Sequence, residues 1–438
     1  MLLCFEERWV VPPGLCGEAH AVWGIRTLVI FFWHAYFMHS RKTVLLLFTF
    51  LFSLDLYAQQ PHGLADPYVE LMKKAAEHAS TNNAPAPVLS PIDFSVIHMK
   101  ETKEDTALIP VVRLHTMGIK VVPWTTNDPD SMRKIIKSGV DGLITDRPDV
   151  LQSVLAEEKA KASSADRERL ERFDVSAHRG GRRLRPENTL PSFESGLDQL
   201  STTLETDTGV STDHVSTIWH DQFYNPDSCR RVDGKPYTME NRVYLSDISS
   251  KDAQATFICD QLRFPVDQKN DLSLSPVSVA FARKEHLINP YVPTYVDQLF
   301  RFVSFYVDYY REGPGKDSPN AAARAANAAR ARFNIETKIM PTLSKDTFSF
   351  PSVFRGEKLP PELFLPNHTV SPEMFVETLA GTVMKYHMAS RVEIQSFDFR
   401  TLRLVESKYP KIPTYYLTMD SKLFYTEFVP ASLRLTTE

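Results

Sequence analysis

Carboxylates and histidines are concentrated between residues 178 and 221. Glu205 and Asp207 stand two residues apart near the end of a predicted strand, and side chains at that spacing point to the same face. Glu336 and Lys338 repeat the spacing on a later strand. Two acids held together repel unless a cation lies between them, and carboxylate oxygens suit Mg²⁺ or Ca²⁺. The spacing therefore predicts a site for one divalent cation.

Two histidines, His178 and His220, lie at the ends of other predicted strands. Cleavage of a phosphodiester needs one group that removes a proton from the attacking oxygen and one that protonates the leaving alkoxide. Imidazole does either near neutral pH. Arg179 and Lys338, together with the cation, would stabilise the charge that develops on the phosphoryl oxygens. These residue types predict phosphodiester hydrolysis with the histidine pair as general acid and base.

Strands alternate with helices along the chain that must position these residues. Eight strands are predicted, at 119–124, 141–146, 175–177, 203–205, 215–219, 333–336, 391–394 and 413–417. Helices are predicted at 67–80, 108–117, 130–137, 150–173 and 319–332, a polar loop at 81–91 and a surface insertion at about 343–368. This number of alternating elements favours an α/β fold of the closed (β/α)₈ type, a TIM barrel, over an open sheet.

The motifs resemble those of the glycerophosphodiester phosphodiesterase family, also called glycerophosphoryl diester phosphodiesterases. The family pattern of HRG, PENT, ExD, a later Asp and HD is kept in register over 178–221, with His214 where a glycine is usual. The resemblance extends to segments 123–128, 139–148, 335–338 and 395–398. It implies a barrel of the PLC-like phosphodiesterase type and hydrolysis of glycerophosphodiesters to glycerol 3-phosphate and an alcohol.

The resemblance also implies a role for each matching residue of this chain. It assigns metal binding to four carboxylates, Glu205, Asp207, Glu336 and the further candidate Glu187. It assigns general acid and base catalysis to His178 and His220. It assigns phosphate contacts to Arg179 and Lys338, and a place in the substrate wall to Trp124. The implied cofactor is one divalent cation, Ca²⁺ or Mg²⁺, and the implied partner is a small-molecule glycerophosphodiester.

The order of the motifs departs from that of the family. Segments 123–128 and 139–148 belong to the family's last two strands, yet here they precede the first. Circular permutation would place strands seven and eight in 59–155 and strands one to six in 174–438, within one barrel domain spanning 59–438. Alternatively, 59–155 is the remnant of a lost preceding domain. Permutation is favoured because six strands cannot close the barrel and neither motif recurs after residue 417.

A secretory signal peptide is predicted at residues 38–58. A basic start at Met38 is followed by an apolar run over 43–54 and by small residues up to Ala58. The run is shorter than the roughly 20 apolar residues of a membrane span. Residues 1–37 are predicted to be a non-native upstream extension, and the protein to be secreted or periplasmic. The alternative is an uncleaved membrane anchor formed with an upstream apolar patch, in which case membrane contact is expected.

Composition excludes some classes of function. The net charge is −4, with 43% hydrophobic and 24% charged residues, which is ordinary for a soluble enzyme. Because no basic block is present, no nucleic-acid partner is expected. Cys229 and Cys259 would meet an oxidising compartment after export, where a disulfide between them is possible. Their spacing does not establish that they come close enough.

Two other functions are compatible with the same residues. One is a phospholipase that acts on intact or lyso-phospholipids, and the other is a catalytically silent barrel that binds a phosphate ligand. The residues leave open the head group, the choice between Mg²⁺ and Ca²⁺ and the histidine that acts as acid. They also leave open whether the 2-hydroxyl of glycerol, through a cyclic phosphate, or water attacks phosphorus, and the oligomeric state.

Overall fold

The computed structural model describes residues 66–97, 108–341 and 367–436, which belong to one compact unit. The predicted upstream extension, the signal peptide and nearly all of the predicted insertion at 343–368 lie outside the described residues. The helices are Pro67–Thr81 (α1), Val111–Thr116 (α2), Pro129–Lys137 (α3), Pro148–Lys161 (α4), Ser164–Glu171 (α5), Leu190–Asp198 (α6), Ser250–Thr256 (α7), Pro276–Lys284 (α8), Val296–Arg311 (α9), Ala321–Ala328 (α10), Pro372–Lys385 (α11) and Phe399–Lys408 (α12). The strands are Val88–Pro91 (β1), Gly142–Thr145 (β2), Asp174–Ala177 (β3), Thr203–Val210 (β4), Ser216–Ile218 (β5), Arg230–Arg231 (β6), Phe257–Ile258 (β7), Thr294–Tyr295 (β8), Arg332–Thr337 (β9), Val392–Ser396 (β10) and Thr414–Thr418 (β11).

Seven strands and one extended segment form a closed parallel sheet. The strand order is β1-β11-β10-β9-β4-β3-β2, with parallel pairing throughout. The extended segment 120–124 fills the gap between β2 and β1. The carbonyl of Lys120 accepts a hydrogen bond from Leu89 N, and that of Val121 accepts one from Asp141 N, both at 2.9 Å. The eight elements close a (β/α)₈ barrel, which confirms the predicted fold class.

The main apolar core lies between this sheet and the surrounding helices. Leu204 of β4 and Ile335 of β9 pack in one cluster with Phe193 of α6. Because side chains alternate along a strand, the next residues, Glu205 and Glu336, point to the other side of the sheet, into the barrel. The alternation of side chains along the strands therefore places the apolar residues in the core and the carboxylates inside the barrel.

The barrel uses a different set of eight strands from the predicted set. Residues 81–91, predicted as a loop, contain β1, whose four residues are all buried. The predicted strand 215–219 is instead β5, which pairs antiparallel with the end of β4. β4 is eight residues long, so its far end extends beyond the parallel strands and forms a hairpin with β5. Three barrel elements therefore precede β3, and five follow from β3 onward, in place of the predicted two and six.

The predicted helix 150–173 is two helices, α4 and α5. Ala162 between them is extended, with ψ of 148°. The Ser163 side chain accepts a hydrogen bond from the Asp166 backbone N–H and caps α5. A serine of this kind stabilises a helix start because it satisfies one of the first N–H groups.

None of the helices in the described ranges is both long enough and apolar enough to span a membrane.

The segment between β5 and β8 carries a small core of its own. Trp219, Tyr224 and Phe257 pack together there beside the short β6–β7 pair. A disulfide joins Cys229 to Cys259. The bond, which the sequence left open, joins the residue before β6 to the residue after β7.

Candidate active site

A cavity of about 320 Å³ opens at the end of the barrel where the parallel strands finish. This end is where barrel enzymes place their active sites, because loops from every strand meet there. The cavity is lined by Ile92, Asp93, Trp124, Thr125, Asn127, Ile144, Asp146, His178, Arg179, Arg182, Glu205, His220, Glu336, Lys338, Gln395, Phe397 and Leu417. Seven of the nine predicted site residues are among them, and the two that are not are Asp207 and Glu187.

Three buried carboxylates form a compact cluster at this cavity. One oxygen from each of Glu205, Asp207 and Glu336 lies within 4.8 Å of the others. Asp207 and Glu336 are register partners on the neighbouring strands β4 and β9, while Glu205 lies two residues before Asp207. The i and i+2 spacing on β4 and the register of β4 with β9 therefore bring together three of the four predicted metal carboxylates.

The electrostatics of the cluster fit a bound cation. Burial and the charge of Asp207 raise the pKa of Glu205 well above its ordinary value. Burial also raises the pKa of Glu336 to about 7, against the opposing effect of Lys338. Burial would raise the pKa of Asp207 too, but Arg179, His220 and Lys338 outweigh it and lower that pKa. Buried carboxylate oxygens at this spacing suit the hard cations Mg²⁺ and Ca²⁺, so these three residues could hold one.

Glu187 lies apart from this cluster. Its Oε1 accepts a hydrogen bond of 2.8 Å from Nη1 of Arg179, and its Oε2 accepts one of 2.6 Å from Nε of Arg182. Burial would raise its pKa, but these two guanidinium groups lower it to about 2. Both oxygens thus accept from arginines, and Glu187 is not among the three grouped carboxylates.

His178 is held by a chain of two further residues. Its Nδ1 lies 2.5 Å from Oδ1 of Asp146, whose Oδ2 accepts a hydrogen bond of 2.8 Å from Asn127 Nδ2. Asn127 Oδ1 in turn accepts the Asp146 backbone N–H at 2.9 Å. Asp146 and Asn127 received no role from the sequence, although both lie in the family-like segments 139–148 and 123–128. Their membership of those segments was the signal that could have identified them.

The backbone after β3 turns sharply so that His178 and Arg179 both reach the cavity. Arg179 and Gly180 have φ of 50° and 81°, the left-handed region that most residues avoid. A Cβ on Gly180 would lie 2.7 Å from Ser192 Oγ and Phe193 N at the start of α6. Glycine is therefore required at this position by both the turn and the close approach of α6.

His220 forms a second histidine–carboxylate pair. Its Nδ1 lies 2.7 Å from Oδ1 of Asp221, and Asp221 accepts a hydrogen bond of 2.8 Å from Asn225. Enclosure in the cavity and the charges of Arg179 and Lys338 lower the pKa of His220 well below its ordinary value. Burial and Arg179 likewise lower the pKa of His178, against the hydrogen bond with Asp146. Both imidazoles are therefore neutral near pH 7 and able to accept a proton.

The cationic side chains lie against the carboxylate cluster. Arg179 Nε is 3.2 Å from Asp207 Oδ2, and Lys338 Nζ is 3.0 Å from Glu336 Oε1. Trp124 packs edge-to-face on Phe397 with ring centroids 5.4 Å apart. The predicted phosphate-binding residues thus face the same space as the histidines, and the tryptophan forms part of its wall.

The other motif positions have structural roles. Asp213 accepts hydrogen bonds from Ser250 N at 2.9 Å and Ser250 Oγ at 2.8 Å, which ties the β4–β5 turn to α7. His214 has φ of 55°, the conformation that a glycine would adopt there. The substitution of histidine for glycine therefore leaves the turn in place.

Substitution of Asp146 by Asn is expected to lower kcat by about 10²-fold. The amide presents one acceptor where Asp146 has two, so it cannot accept from both His178 Nδ1–H and Asn127. Asp141→Asn is the matched control, because Asp141 lies 2.9 Å from His115 Nε2 in a similar but exposed pair. Steady-state kinetics of both variants measure the effect; equal activities would contradict the positioning of His178 by Asp146.

Comparison with known proteins gives one family. A sequence profile described as the glycerophosphoryl diester phosphodiesterase family matches residues 19–150 and 178–290, together more than half of the chain. A curated relative, a glycerophosphodiester phosphodiesterase of Caldanaerobacter subterraneus subsp. tengcongensis, is 50% identical over 34 residues, which are 8% of this chain and 14% of the relative.

Two solved structures are also similar to part of the chain. An Oleispira antarctica phosphodiesterase in complex with the product sn-glycerol-3-phosphate has a TM-score of 0.31 and 14% identity, covering 55% of this chain and 64% of its own. A glycerophosphodiester phosphodiesterase from Agrobacterium tumefaciens has a TM-score of 0.29 and 14% identity, with the same two coverages. The chain thus spans less than two thirds of the length of these relatives, and the fold assignment rests on its own strand order and the family match.

Proposed function

This chain belongs to the glycerophosphoryl diester phosphodiesterase family, and from that membership we propose that it hydrolyses glycerophosphodiesters to glycerol 3-phosphate and an alcohol. One observation carries the proposal. The cluster of Glu205, Asp207 and Glu336 lines or underlies the same cavity as His178 and His220. A cation site beside two neutral imidazoles combines charge stabilisation with proton transfer, which together can cleave a phosphodiester.

The cation and the basic residues address the charge on the phosphate. A divalent cation held by Glu205, Asp207 and Glu336 would supply Lewis-acid stabilisation of the phosphoryl oxygens. Arg179 and Lys338 present fixed positive charges to the same cavity, and their ion pairs with the cluster keep them in place. Groups aimed in advance at developing charge stabilise the transition state without reorganisation.

The histidines move the protons. Both imidazoles are neutral at rest, so one can take the proton of the attacking oxygen at its Nε2. The imidazolium formed in this way then holds the proton that the leaving alkoxide takes up, and both rings end neutral again. In each ring Nδ1 is bonded to a carboxylate, Asp146 or Asp221, which leaves Nε2 for substrate. A carboxylate on Nδ1 also stabilises the imidazolium form.

The proposal is tested by measuring glycerol 3-phosphate released from glycerophosphocholine, with and without a chelator. Release is expected to stop in excess EDTA and to return when Ca²⁺ or Mg²⁺ is added back. Undiminished turnover in EDTA would contradict the role of the cation. Cleavage of lysophospholipid in vesicles without any glycerol 3-phosphate release would indicate a phospholipase instead.

We further propose that the barrel is circularly permuted relative to its family. The support is the position of segment 120–124 and β2, which carry the family's last motifs, ahead of β3 in a single closed sheet. A fragment of residues 164–438 lacks three of the eight barrel elements and so is expected not to fold, whereas 66–438 folds. Circular dichroism melts compare the two. A cooperative melt and full activity in the fragment would favour the remnant-domain interpretation.

A further inference from the structure

Gln395 lies on β10 in the cavity wall, and none of the roles described above involves it. Its side chain is buried, and its Nε2 donates a hydrogen bond of 2.7 Å to Oε1 of Glu205. In the pairing of β10 with β9 it is also the register partner of Glu336. The neutral amide of Gln395 therefore contacts Glu205 of the carboxylate cluster, and Gln395 is paired in register with Glu336 of the same cluster.

Both oxygens of Glu205 accept a hydrogen bond from a fixed donor. Gln395 donates to Oε1 and the Arg179 backbone N–H donates to Oε2, each at 2.7 Å. A carboxylate that accepts two such bonds is restricted to one orientation. The donor from Arg179 is a backbone N–H whose position is fixed by the turn after β3. The second donor that orients the Glu205 carboxylate comes from a side chain, that of Gln395.

The other end of the same amide is unsatisfied. Gln395 Oε1 is buried and has no hydrogen-bond partner among the described residues, although buried polar atoms are normally paired. Turning the amide over would not satisfy it, because Oε1 would then face the Glu205 carboxylate oxygen across 2.7 Å. A donor that enters the cavity, such as water that accompanies a cation, would satisfy this oxygen.

We infer that Gln395 is a positioning residue for the divalent cation. Its amide N–H orients Glu205 as a ligand, and its carbonyl oxygen accepts a hydrogen bond from the hydration water of the ion. Partners of this kind, one bond removed from the metal, change metal affinity by about 10- to 100-fold when they are substituted. The inference rests on the cation site of the proposed function and is independent of the substrate.

Calorimetric titration of the substrate-free protein with Ca²⁺, and separately with Mg²⁺, tests this inference. In Gln395→Met the Kd of the ion that wild type binds more tightly is expected to rise by about 10-fold or more. Gln298→Met is the matched control. Gln298 is an equally buried glutamine on α9, bonded to Gln254 at 2.8 Å and absent from the cavity lining. Its substitution is expected to leave Kd within about twofold.

A second variant covers the case in which Gln395→Met does not fold. Gln395→Asn keeps a buried amide but ends one methylene short of Glu205, so it is expected to weaken binding as well. A Kd within about twofold of wild type in either folded variant, or no ion binding by wild type, would overturn the inference. Because no substrate is present, loss of phosphodiesterase activity in the wild type would leave this result standing and would count against the proposed function alone.

Discussion

Replacing His178 with alanine is expected to lower kcat/KM for glycerophosphodiester hydrolysis by about 10²- to 10⁴-fold, the usual contribution of a positioned general acid or base. His178 is neutral, faces the cavity and is oriented through Asp146 and Asn127. Alanine removes the proton-transfer group without filling the space it leaves. Initial rates of glycerol 3-phosphate release at several substrate concentrations separate the fall in kcat from any change in KM.

The control for this variant is His115→Ala. His115 also pairs with an aspartate, at 2.9 Å, but on the exposed surface of α2. Its loss is expected to change kcat/KM by less than about twofold, because exposed ion pairs contribute little. Ion binding should be retained in His178→Ala, since the three carboxylates remain. An active His178→Ala protein would remove His178 from the mechanism.

Glu205→Gln is expected to abolish ion binding and activity while making the ion-free protein more stable. The buried Glu205 carboxylate is destabilised by burial and by Asp207, which is why its pKa is raised. A neutral amide of the same shape relieves this repulsion. It can also keep both hydrogen bonds, because the Gln395 amide that donates to Glu205 can turn over and accept from the new N–H group. The free energy of unfolding is therefore expected to rise by an amount on the order of 1 kcal/mol. Thermal melts with and without Ca²⁺ or Mg²⁺ measure both effects.

Folding raises the pKa of Glu205, and this direction sets how the stability of the ion-free protein changes with pH. A carboxyl whose pKa is raised on folding favours the folded state when protonated, and this contribution is lost as the pH rises through the folded-state pKa. The stability gain of Glu205→Gln over ion-free wild type is therefore expected to be small at acid pH, where Glu205 is protonated in both states, and larger at pH 8. A gain that is independent of pH would contradict the electrostatic explanation.

Glu194→Gln provides a control of the opposite sign. Glu194 is also a buried glutamate, but its two oxygens accept the backbone N–H groups of Val277 at 3.0 Å and Ser278 at 2.7 Å, at the start of α8. Both of these donors are backbone N–H groups that cannot turn over, so an amide at this position loses one of the two bonds, and this variant is expected to be less stable than wild type. Its melting temperature should still rise on addition of the ion. A stabilised Glu194→Gln would show that neutralising any buried glutamate suffices.

Several features followed directly from residue spacing. Glu205 and Asp207 alternate with Leu204 and Thr206 on β4, so period-two patterning was enough to place both carboxylates on the interior face. The strand signals around His178, Glu336 and Gln395 were strong because apolar residues flank each motif. β1 was missed since Val88–Pro91 is short and ends in proline, and its extended form depends on pairing with β11 and segment 120–124.

The pairing of distant residues could not be derived in this way. Glu187 belongs to the same motif region as His178, yet in the fold it pairs with Arg179 and Arg182 and is not grouped with the other three carboxylates. Asp146 and Asn127 precede His178 by 32 and 51 positions, and only closure of the barrel brings them together. The disulfide between Cys229 and Cys259 likewise depends on the fold of the segment that contains it.

The sequence by itself determined which residue types are available at this site: the carboxylates, the two imidazoles, the basic residues and the strand alternation that turns them inward. Residue types and the alternation of side chains along a strand can be read from short stretches of sequence, so neighbouring residues were enough to predict these features. The tertiary structure decided which eight elements close the barrel, which carboxylates meet, and which residues orient His178 and Glu205. Those outcomes depend on contacts between residues far apart in the chain, whose distances are set only when the sheet closes.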